Sequence, residues 1–405
     1  MDHPYEIAAY YFPQYHPDPR NDAWHGPGWT EWELVRRAEP RFPGHRQPRV
    51  PLWGYGDEAD PAVAAMKIAA AADHGLTTFI YDWYWYGEGP LLHRALEQGF
   101  MRAHNNGRLR FALMWANHDW MNLFPVKRST PTTVLEPGAT PPRAFEAATD
   151  YIIRTYFAHP SYWTIEGRPY FSIYDLKTLV EGLGGIARTA AALAGFRARV
   201  KAAGLPDVHL NAVVWGIHAL SGEAATTDPA ATLATLGVDS LTSYVWVHHT
   251  PLDTFPTTPY ADYARRAMED WERSTRRYAL PYYPNVTMGW DSSPRTVQSD
   301  VYENLGYPFM PALDGNTPEA FEAILGEAKR FLDRGLTRPP ILTINAWNEW
   351  AEGSYLEPDT THGLGYLDAV RRVFGIMGRG VPGNQPDVRA EHVGDRIGTA
   401  GDQRY

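Results

Sequence analysis

Cysteine is absent from the chain, and its absence removes several kinds of chemistry. None of the 405 residues is Cys, so structural disulfides, thiolate zinc sites and cysteine nucleophiles are excluded. Long apolar runs are absent too, because none approaches the ~18 residues that a transmembrane helix needs. The opening residues, MDHPYEI, have neither the charged nor the apolar region of a secretory signal. These features predict a cytoplasmic protein with no membrane span.

Positive charge is in short supply. Lys and Arg number 37 against 47 Asp and Glu, which gives a formal net charge of -10. Nucleic acid binding requires clustered Lys and Arg, and no basic amphipathic segment indicates a membrane surface. We therefore expect neither partner, and the sequence leaves the oligomeric state open. Aromatic residues are abundant by contrast, with 15 Trp, 24 Tyr and 15 Phe, enough to line a ligand site as well as a core.

Eight short apolar runs recur along the chain with helical stretches between most of them. The runs are almost continuously apolar, which is typical of buried parallel strands. Capping residues precede a proline at Asp60-Pro61 and Thr317-Pro318, as at helix starts. Eight alternating strands and helices predict an α/β fold, a single (β/α)₈ TIM barrel. The predicted strands are 6–12, 77–85, 110–117, 169–175, 208–215, 238–246, 283–290 and 340–347, and the predicted helices 61–74, 93–106, 143–158, 187–203, 260–278 and 318–334.

Long stretches without periodicity follow three of the strands, at 17–60, 118–142 and 247–259. In a barrel these are loops of the C-terminal face, where active sites are built. The first strand runs into FPQYH at 12–16 rather than a Gly-rich turn, which argues against an open nucleotide-binding sheet. The chain becomes rich in Gly, Pro, Asp and Arg near its end. We expect one catalytic domain over 1–378 and a disordered tail over 379–405.

The densest chemical signal is the segment NAWNEWAEG at 345–353, directly after the eighth predicted strand. Its glutamates, Glu349 and Glu352, can both face one pocket if the chain turns there. Glycoside chemistry needs an acid that protonates the leaving oxygen and a second carboxylate as base or nucleophile. Trp347 and Trp350 supply apolar surroundings that raise the pKa of one carboxyl. The alternative is that the glutamates cap a helix or pair with surface Arg.

Tryptophans and polar side chains recur near the predicted carboxyl ends of the strands. Sugar rings pack their apolar faces on indole, and the indole N–H can meet a hydroxyl. The alternative is that several tryptophans only plug the barrel mouth and that the polar groups only hold loops. The residues concerned are Trp83, Trp85, Trp115, Trp215, Trp246, Trp290 and Trp347, with Asp82, Asn117, Asp119 and Asp291.

Signals for other chemistries are weak. The adjacent His248 and His249 diverge in an extended segment, and no histidine spacing matches H-E-x-x-H. No calcium-loop pattern and no G-x-S-x-G nucleophile turn occurs in the sequence. We therefore expect neither a metal nor a cofactor.

A set of motifs spread over residues 9 to 359 resembles the WbsX-type proteins of surface-polysaccharide loci. The motifs cover nearly the whole predicted domain, and their combination is specific. They are AYYFPQYH at 9–16, NDAW at 21–24, GWTEW at 28–32, YDWYW at 81–85, WD at 290–291, PR at 294–295, WNEWAEG at 347–353 and LEP at 356–358.

That group is similar in turn to glycoside hydrolase family 99, the endo-α-mannosidases, which are (β/α)₈ barrels with a W-N-E-W-x-E-G block. The resemblance implies that Glu349 is the base on the substrate's own 2-hydroxyl, which attacks C1 to form a 1,2-anhydro sugar. It implies that Glu352 protonates the leaving group and then activates water, so that configuration is retained. The chain departs from the mannosidases at Ala351, where they usually have His. The usual WbsX-type form has an acidic residue directly after the Asn, whereas this chain has His118 after Asn117. Mannose specificity is therefore not implied.

Three functions stay open at this point. The first is a retaining glycoside hydrolase acting on a poly- or oligosaccharide through Glu349 and Glu352. The second is a glycosyltransferase-type enzyme of surface polysaccharide biosynthesis, which suits a cytoplasmic location. The third is a non-catalytic glycan-binding barrel, against which the intact glutamate pair argues. The predicted substrate-binding residues are Tyr11, Gln14, His16, Trp24, Asp82, Trp83, Trp85, Trp115, Asn117, His118, Trp246, Trp290, Asp291, Trp347, Asn348 and Tyr355.

Overall fold

The computed structural model describes residues 4–87, 89–215 and 228–375. These residues belong to one compact unit. The tail predicted over 379–405 lies outside the described residues.

Eight strands, β1 to β8, form a parallel barrel and confirm the predicted (β/α)₈ fold. Each pairs in parallel with its neighbours in sequence, and β8 returns to pair with β1, so the sheet closes. Side chains on both faces are buried, which explains the continuously apolar runs. The strands are β1 Glu6–Tyr11, β2 Thr78–Tyr86, β3 Arg110–Trp115, β4 Arg168–Ile173, β5 His209–Val213, β6 Ser240–Thr242, β7 Tyr282–Tyr283 with Asn285–Thr287, and β8 Ile341–Asn345.

Strand β7 is shorter than the sequence predicted and is split at Pro284. Proline has no N–H to donate to a neighbouring strand. The first part of β7 pairs with β6, and the second part pairs with β8. The carbonyl of Pro284 still accepts from the N–H of Thr343 at 3.0 Å, so the barrel remains closed across the interruption.

The described part of the chain contains ten α-helices outside the barrel strands. Five of the six predicted helices are confirmed, and the two predicted caps at Asp60 and Thr317 accept backbone hydrogen bonds from Ala62 and Ala320. The short helices were missed because they carry less than three turns of pattern. The helices are α1 Pro19–His25, α2 Trp32–Arg37, α3 Pro61–Asp73, α4 Pro142–Ile152, α5 Leu176–Leu183, α6 Ile186–Ala202, α7 Pro229–Leu236, α8 Tyr260–Arg277, α9 Pro318–Asp333 and α10 Gly365–Phe374.

The helix predicted over 93–106 is wrong as an α-helix. The segment instead forms a π-turn at Ala95–Gly99 and a 3₁₀ turn at Phe100–Arg102. At Gly99 the backbone passes so close to the carbonyl of Glu58 that an added Cβ would lie 2.1 Å from its oxygen. This close approach distorts the helix and requires glycine there.

Short strands outside the barrel shape its C-terminal loops. The pair that matters most joins Asn348–Glu349 to Ser354–Tyr355 in an antiparallel hairpin directly after β8. The other pieces are Gly89–Leu91, Trp120–Met121, Val134–Glu136, Thr164–Ile165, Thr257–Pro259 and Ala312–Asp314.

No single helix in the described part of the chain is long and apolar enough to cross a membrane. Helices α5 and α6, taken together, have the length and composition for a span, but the pair is bent by 96°.

Candidate active site

A cavity of about 710 Å³ lies at the carboxyl ends of the barrel strands. Residues at or just after each of the eight strands contribute to its wall, so it occupies the face where TIM-barrel enzymes carry their sites. The residues from the strand ends are Phe12, Asp82, Tyr84, Met114, Ala116, Tyr174, Trp215, Tyr244, Trp290, Glu349 and Glu352.

The hairpin after β8 carries both predicted catalytic glutamates into this cavity. Glu349 ends its first strand, and Glu352 closes the 3₁₀ turn Trp350–Glu352. The turn is completed by Gly353 in the left-handed region, with φ of 66°. A Cβ at this glycine would lie 2.7 Å from the Cβ of Asp291, so only glycine fits. Both carboxyls are nearly inaccessible to solvent, with Glu349 4% and Glu352 7% exposed.

Arg295, which the sequence analysis did not place in the site, holds the two glutamates together. Its Nη1 donates to Glu352 at 2.7 Å, and its Nη2 lies 3.4 Å from Glu349. Its Nε donates to a third carboxylate, Glu31, at 2.8 Å. The guanidinium is buried, so a single cation serves three buried acids. Tyr307 adds a second hydrogen bond to Glu352, at 2.7 Å.

Burial and repulsion by neighbouring acids raise the pKa values of two acids of this cluster, Glu349 and Glu31. Burial raises the pKa of Glu349 well above its ordinary value, and the negative charge of Glu352 adds to the rise while Arg295 opposes it. Burial likewise raises the pKa of Glu31 to about 7, against the lowering effect of Arg295. One guanidinium cannot neutralise three carboxylates, so the cluster retains protons near neutral pH.

A further carboxyl group in the cavity wall, Asp82, comes from strand β2. Its Oδ2 accepts from the hydroxyl of Tyr244 at 2.9 Å, and the same hydroxyl lies 3.2 Å from Glu349 Oε1. Burial raises the pKa of Asp82 well above its usual value, and repulsion by Glu352 adds to the rise. Asp82 was predicted to bind sugar, and the cavity contains it.

A buried ionic cluster behind the hairpin fixes it to the barrel. Asn348 accepts from the N–H of Phe12 at 2.8 Å and donates to Glu58 at 2.7 Å. Lys67 of α3 pairs with Glu58 and with Glu357, each at 2.6 Å. Asn348, which the sequence predicted to bind substrate, does not line the cavity and orients the hairpin through these hydrogen bonds.

Asp291 also lies outside the cavity lining and anchors a loop. Its carboxylate is fully buried and accepts from His45 at 2.8 Å and Gln47 at 2.7 Å, with Arg49 at 3.3 Å. These donors come from the long loop after β1. The hydrogen bonds and the Arg49 charge hold the pKa of Asp291 below its ordinary range, despite its burial.

Replacing Asp291 by Asn should therefore lower stability in a pH-dependent way. A carboxyl whose folded pKa is depressed contributes stability above its unfolded pKa of about 3.9 and loses it as pH falls further. We expect wild type to be more stable than Asp291→Asn by about 1–3 kcal/mol at pH 7, with the gap closing below about pH 4. Urea unfolding at several pH values measures the gap, and a constant gap would contradict this account.

The sixteen residues predicted to bind substrate divide between the cavity and its surroundings. Asp82, His118 and Trp290 line the cavity. The others do not line it, although many are buried directly behind it. They are Tyr11, Gln14, His16, Trp24, Trp83, Trp85, Trp115, Asn117, Trp246, Asp291, Trp347, Asn348 and Tyr355.

Strand alternation explains where the tryptophans of β2 point. Asp82 lines the cavity. The indole N–H of Trp83 instead donates to the hydroxyl of Tyr156, at 3.2 Å, in the turn that follows α4. Successive side chains of a strand face opposite sides. Trp115 packs in the same outer layer against Phe145 of α4, with ring centroids 5.8 Å apart. These tryptophans therefore lie between the barrel and its helices.

Several cavity residues were missed because they follow strands without a motif of their own. Tyr244, Tyr174 and His248 are examples, and Arg295 and Tyr307 come from the loop after β7. Trp215 had been noted at a strand end and now proves to stack on His248, with centroids 3.8 Å apart and an interplanar angle of 8°. The motif PR at 294–295 was the only sequence signal for Arg295.

Among residues 4–87, 89–215 and 228–375, no group of three or more His, Asp or Glu side chains is arranged to hold a metal ion.

Comparison with known families gives one extended match. The family described as "Glycosyltransferase WbsX" matches residues 7–370, which is nearly all of the described chain. An uncharacterized protein, WxcX, from two strains of Xanthomonas campestris pv. campestris is 30% and 31% identical over 385 residues. The alignment covers 92% of this chain and 50% of WxcX, so the chain spans about half the length of these relatives.

Solved structures share the fold at low sequence identity. The GH99 endo-alpha-mannosidase from Bacteroides thetaiotaomicron is 15% identical, with a TM-score of 0.53 over 91% of this chain and 95% of that one. A glycoside hydrolase-like protein is 13% identical, with a TM-score of 0.54 over 92% and 94%. At such identities the likeness establishes the TIM-barrel fold alone.

Proposed function

This chain belongs to the family described as "Glycosyltransferase WbsX", and we propose that it is a retaining glycoside hydrolase acting on a poly- or oligosaccharide. The observation that carries the proposal is the pair of buried carboxyls, Glu349 and Glu352, on one cavity and bound to one guanidinium. Glycoside hydrolysis uses two carboxyl groups in different protonation states. A cavity of about 710 Å³ is large enough for a few sugar units.

The mechanism we propose uses the substrate's 2-hydroxyl. Glu349, as base, takes the proton of that hydroxyl while the oxygen of the hydroxyl attacks C1. Glu352, as acid, gives its proton to the departing glycosidic oxygen. Water then attacks C1 and gives a proton to Glu352, while Glu349 returns its proton to the 2-oxygen. Two inversions at C1 leave the configuration unchanged.

This mechanism requires the pair to carry one proton, and the surroundings support that count. Repulsion between the two carboxyls opposes simultaneous ionisation, and Arg295 stabilises one negative charge between them. The mechanism needs this proton on Glu352 when the substrate is bound.

Sugar transfer from a nucleotide donor is the second candidate, and the charge of the cavity argues against it. A nucleotide sugar carries a diphosphate, which proteins bind with cations or with helix N-termini. Arg295 is the only Lys or Arg among the described residues that line the cavity, and three carboxylates already engage it. The stretch 216–227, which follows the cavity residue Trp215, contains no Lys or Arg in its sequence.

The same charge distribution restricts the substrate to glycans without negative charge. Asp82, Asp119, Asp175, Glu349 and Glu352 line the cavity together with the engaged Arg295. A uronic acid, sialic acid or phosphorylated sugar would place its charge among these groups without a free cation, at high cost. Neutral and amino sugars meet no such penalty.

An activity screen tests these proposals. Wild type is incubated with neutral oligosaccharides and with matched uronate-containing ones, products are identified by mass, and the anomeric configuration is followed by NMR. We expect release of a product with retained configuration from neutral glycans only. Inverted product would overturn the mechanism, and efficient cleavage of uronates would overturn the charge argument. Extension of an acceptor that depends on a nucleotide sugar would favour the transferase. Tight binding without turnover would favour a glycan-binding barrel.

A further inference from the structure

The hydroxyl of Tyr244 bridges two carboxyl groups that belong to different strands of the barrel. It lies 2.9 Å from Asp82 Oδ2 and 3.2 Å from Glu349 Oε1. Asp82 belongs to β2, Tyr244 follows β6 and Glu349 follows β8, so the barrel itself brings the three together. All three side chains are buried and line the cavity.

Proton counting places a constraint on this bridge. A tyrosine hydroxyl has one proton, so it can donate to one carboxyl only. Both contacts are hydrogen bonds only if the other carboxyl is protonated and donates to the tyrosine oxygen. Two ionised carboxylates would leave one oxygen facing a lone pair in a buried site, which is costly. The geometry therefore assigns one proton to the pair Asp82 and Glu349.

We propose that Asp82 holds this proton and, acting through Tyr244, positions it so that Glu349 is ionised for its role as base. In that state Asp82 donates to the Tyr244 oxygen, and Tyr244 donates to the carboxylate of Glu349. The inference rests on the proposed hydrolase function, because only a base must be ionised. Asp82 is on this account a positioning residue that keeps Glu349 free of the shared proton.

The surroundings of the two carboxyls favour this distribution once substrate is bound. Glu349 has a cation beside it, Arg295 Nη2 at 3.4 Å, whereas Asp82 forms no ion pair within the described ranges. The groups that face Asp82 are the acids Glu349 and Glu352 and the hydroxyls of Tyr10, Tyr84, Tyr174 and Tyr244. A neutral Asp82 avoids repulsion by both acids.

The burial of Asp82 and Glu349 favours the same proton assignment as the position of Tyr244 between them. Burial raises the pKa of Asp82 well above its ordinary value, and burial raises that of Glu349 in the same direction. Glu349 has a cation to oppose the rise and Asp82 has none. Its second oxygen, Oδ1, has no hydrogen-bonding partner among the described side chains, which leaves it available to meet a sugar hydroxyl.

Substitutions at Asp82 test the proposal through activity. Asn imitates a protonated Asp, because its amide N–H can donate to the Tyr244 oxygen and it carries no charge. Asp82→Ala and Tyr244→Phe are each expected to lower kcat about 10- to 100-fold, as one buried hydrogen bond is lost. Asp82→Asn is expected to recover most of the activity lost in Asp82→Ala. It should also remove any fall of kcat at alkaline pH that comes from ionisation of Asp82.

A matched control removes a buried tyrosine hydroxyl elsewhere. Tyr260 donates to the carbonyl of Thr287 at 2.9 Å and does not line the cavity. Tyr260→Phe should leave kcat and its pH profile unchanged. An Asp82→Asn variant as inactive as Asp82→Ala would overturn the proposal, since a functional carboxylate would then be needed at this position.

An infrared measurement on the substrate-free protein and on an inhibitor complex separates this inference from the hydrolase function. At neutral pH with a bound neutral sugar mimic, the carbonyl band of one protonated carboxylic acid should be lost in Asp82→Asn, while bands from the other protonated carboxyls, such as Glu352, remain. If the band disappears in Glu349→Gln instead while Asp82→Asn retains it, the assignment to Asp82 is wrong. If the band belongs to Asp82 but no glycan is cleaved, the proton assignment stands and the hydrolase proposal fails.

Discussion

Glu352→Gln and Glu349→Gln are each expected to reduce kcat on a true substrate by about 10²–10⁴-fold. Gln keeps the size of Glu but cannot give a proton to the glycosidic oxygen or take one from the 2-hydroxyl. The loss should appear in kcat, because the proton moves only in the transition state. The measurement is steady-state hydrolysis of the best glycan from the screen, with circular dichroism to check folding.

The two variants should differ in a way that separates their roles. A substrate with a good leaving group does not need an acid in the first step, so kcat/KM of Glu352→Gln should recover on an aryl glycoside while that of Glu349→Gln should not. Glu322→Gln is a suitable control, because Glu322 is paired with Arg372 on the protein surface, away from the cavity. Equal activity of wild type and both active-site variants would refute the two-glutamate mechanism.

Replacing Arg295 by Met is expected to cost both activity and stability. The guanidinium is buried and pairs with Glu31, Glu349 and Glu352. Removing one partner of a buried ionic cluster leaves charges unpaired and costs about 3–5 kcal/mol. Chemical denaturation at neutral pH should show a loss of this size, and kcat should fall because the proton shared by the glutamates is no longer controlled.

The pH dependence of the stability loss in Arg295→Met gives a sharper test than the size of that loss. Without the guanidinium, the folded pKa values of Glu31 and Glu349 rise further above the unfolded value of about 4.3. A raised folded pKa contributes stability below the unfolded pKa and loses it as pH rises. The variant should therefore be relatively most stable in acid and lose stability toward neutral pH, where in wild type burial already raises the pKa of Glu31 to about 7.

A remote arginine provides the comparison. Arg197 pairs with Asp207 at 3.0 Å and Asp239 at 2.6 Å but is partly exposed and lies away from the cavity. Water can solvate those partners when the cation is removed, so Arg197→Met should cost less stability and leave kcat unchanged. A loss in Arg295→Met no larger than in Arg197→Met, with kcat intact, would show that the cluster has no special role.

The barrel was predictable because the signal for each strand is local. A strand buried on both faces must be apolar along its whole length, and helix starts such as Asp60-Pro61 carry their own capping residues. The π-turn at Ala95–Gly99 was not predictable, because the close approach of Gly99 to Glu58 joins residues that no local pattern connects. Pro284, by contrast, was a local signal for the interruption of β7.

The catalytic pair was also local, since Glu349 and Glu352 stand three residues apart in a chain that turns at Gly353. The direction in which side chains point was not. Strand alternation separates Asp82 from Trp83, but which of the two faces the cavity depends on how the closed barrel packs against its helices. Sequence position at a strand end was therefore a poor guide to which tryptophans meet the cavity.

The amino-acid sequence alone thus determined the barrel, the end at which its cavity lies and the two glutamates in the cavity wall, because each depends on neighbours within a few residues. Tertiary structure alone decided what controls those glutamates. Arg295 is separated from Glu31 by 264 residues and Tyr244 from Asp82 by 162. Such contacts arise only when the sheet closes and the loops of its carboxyl end converge, so the electrostatics of the site is a property of the assembled barrel.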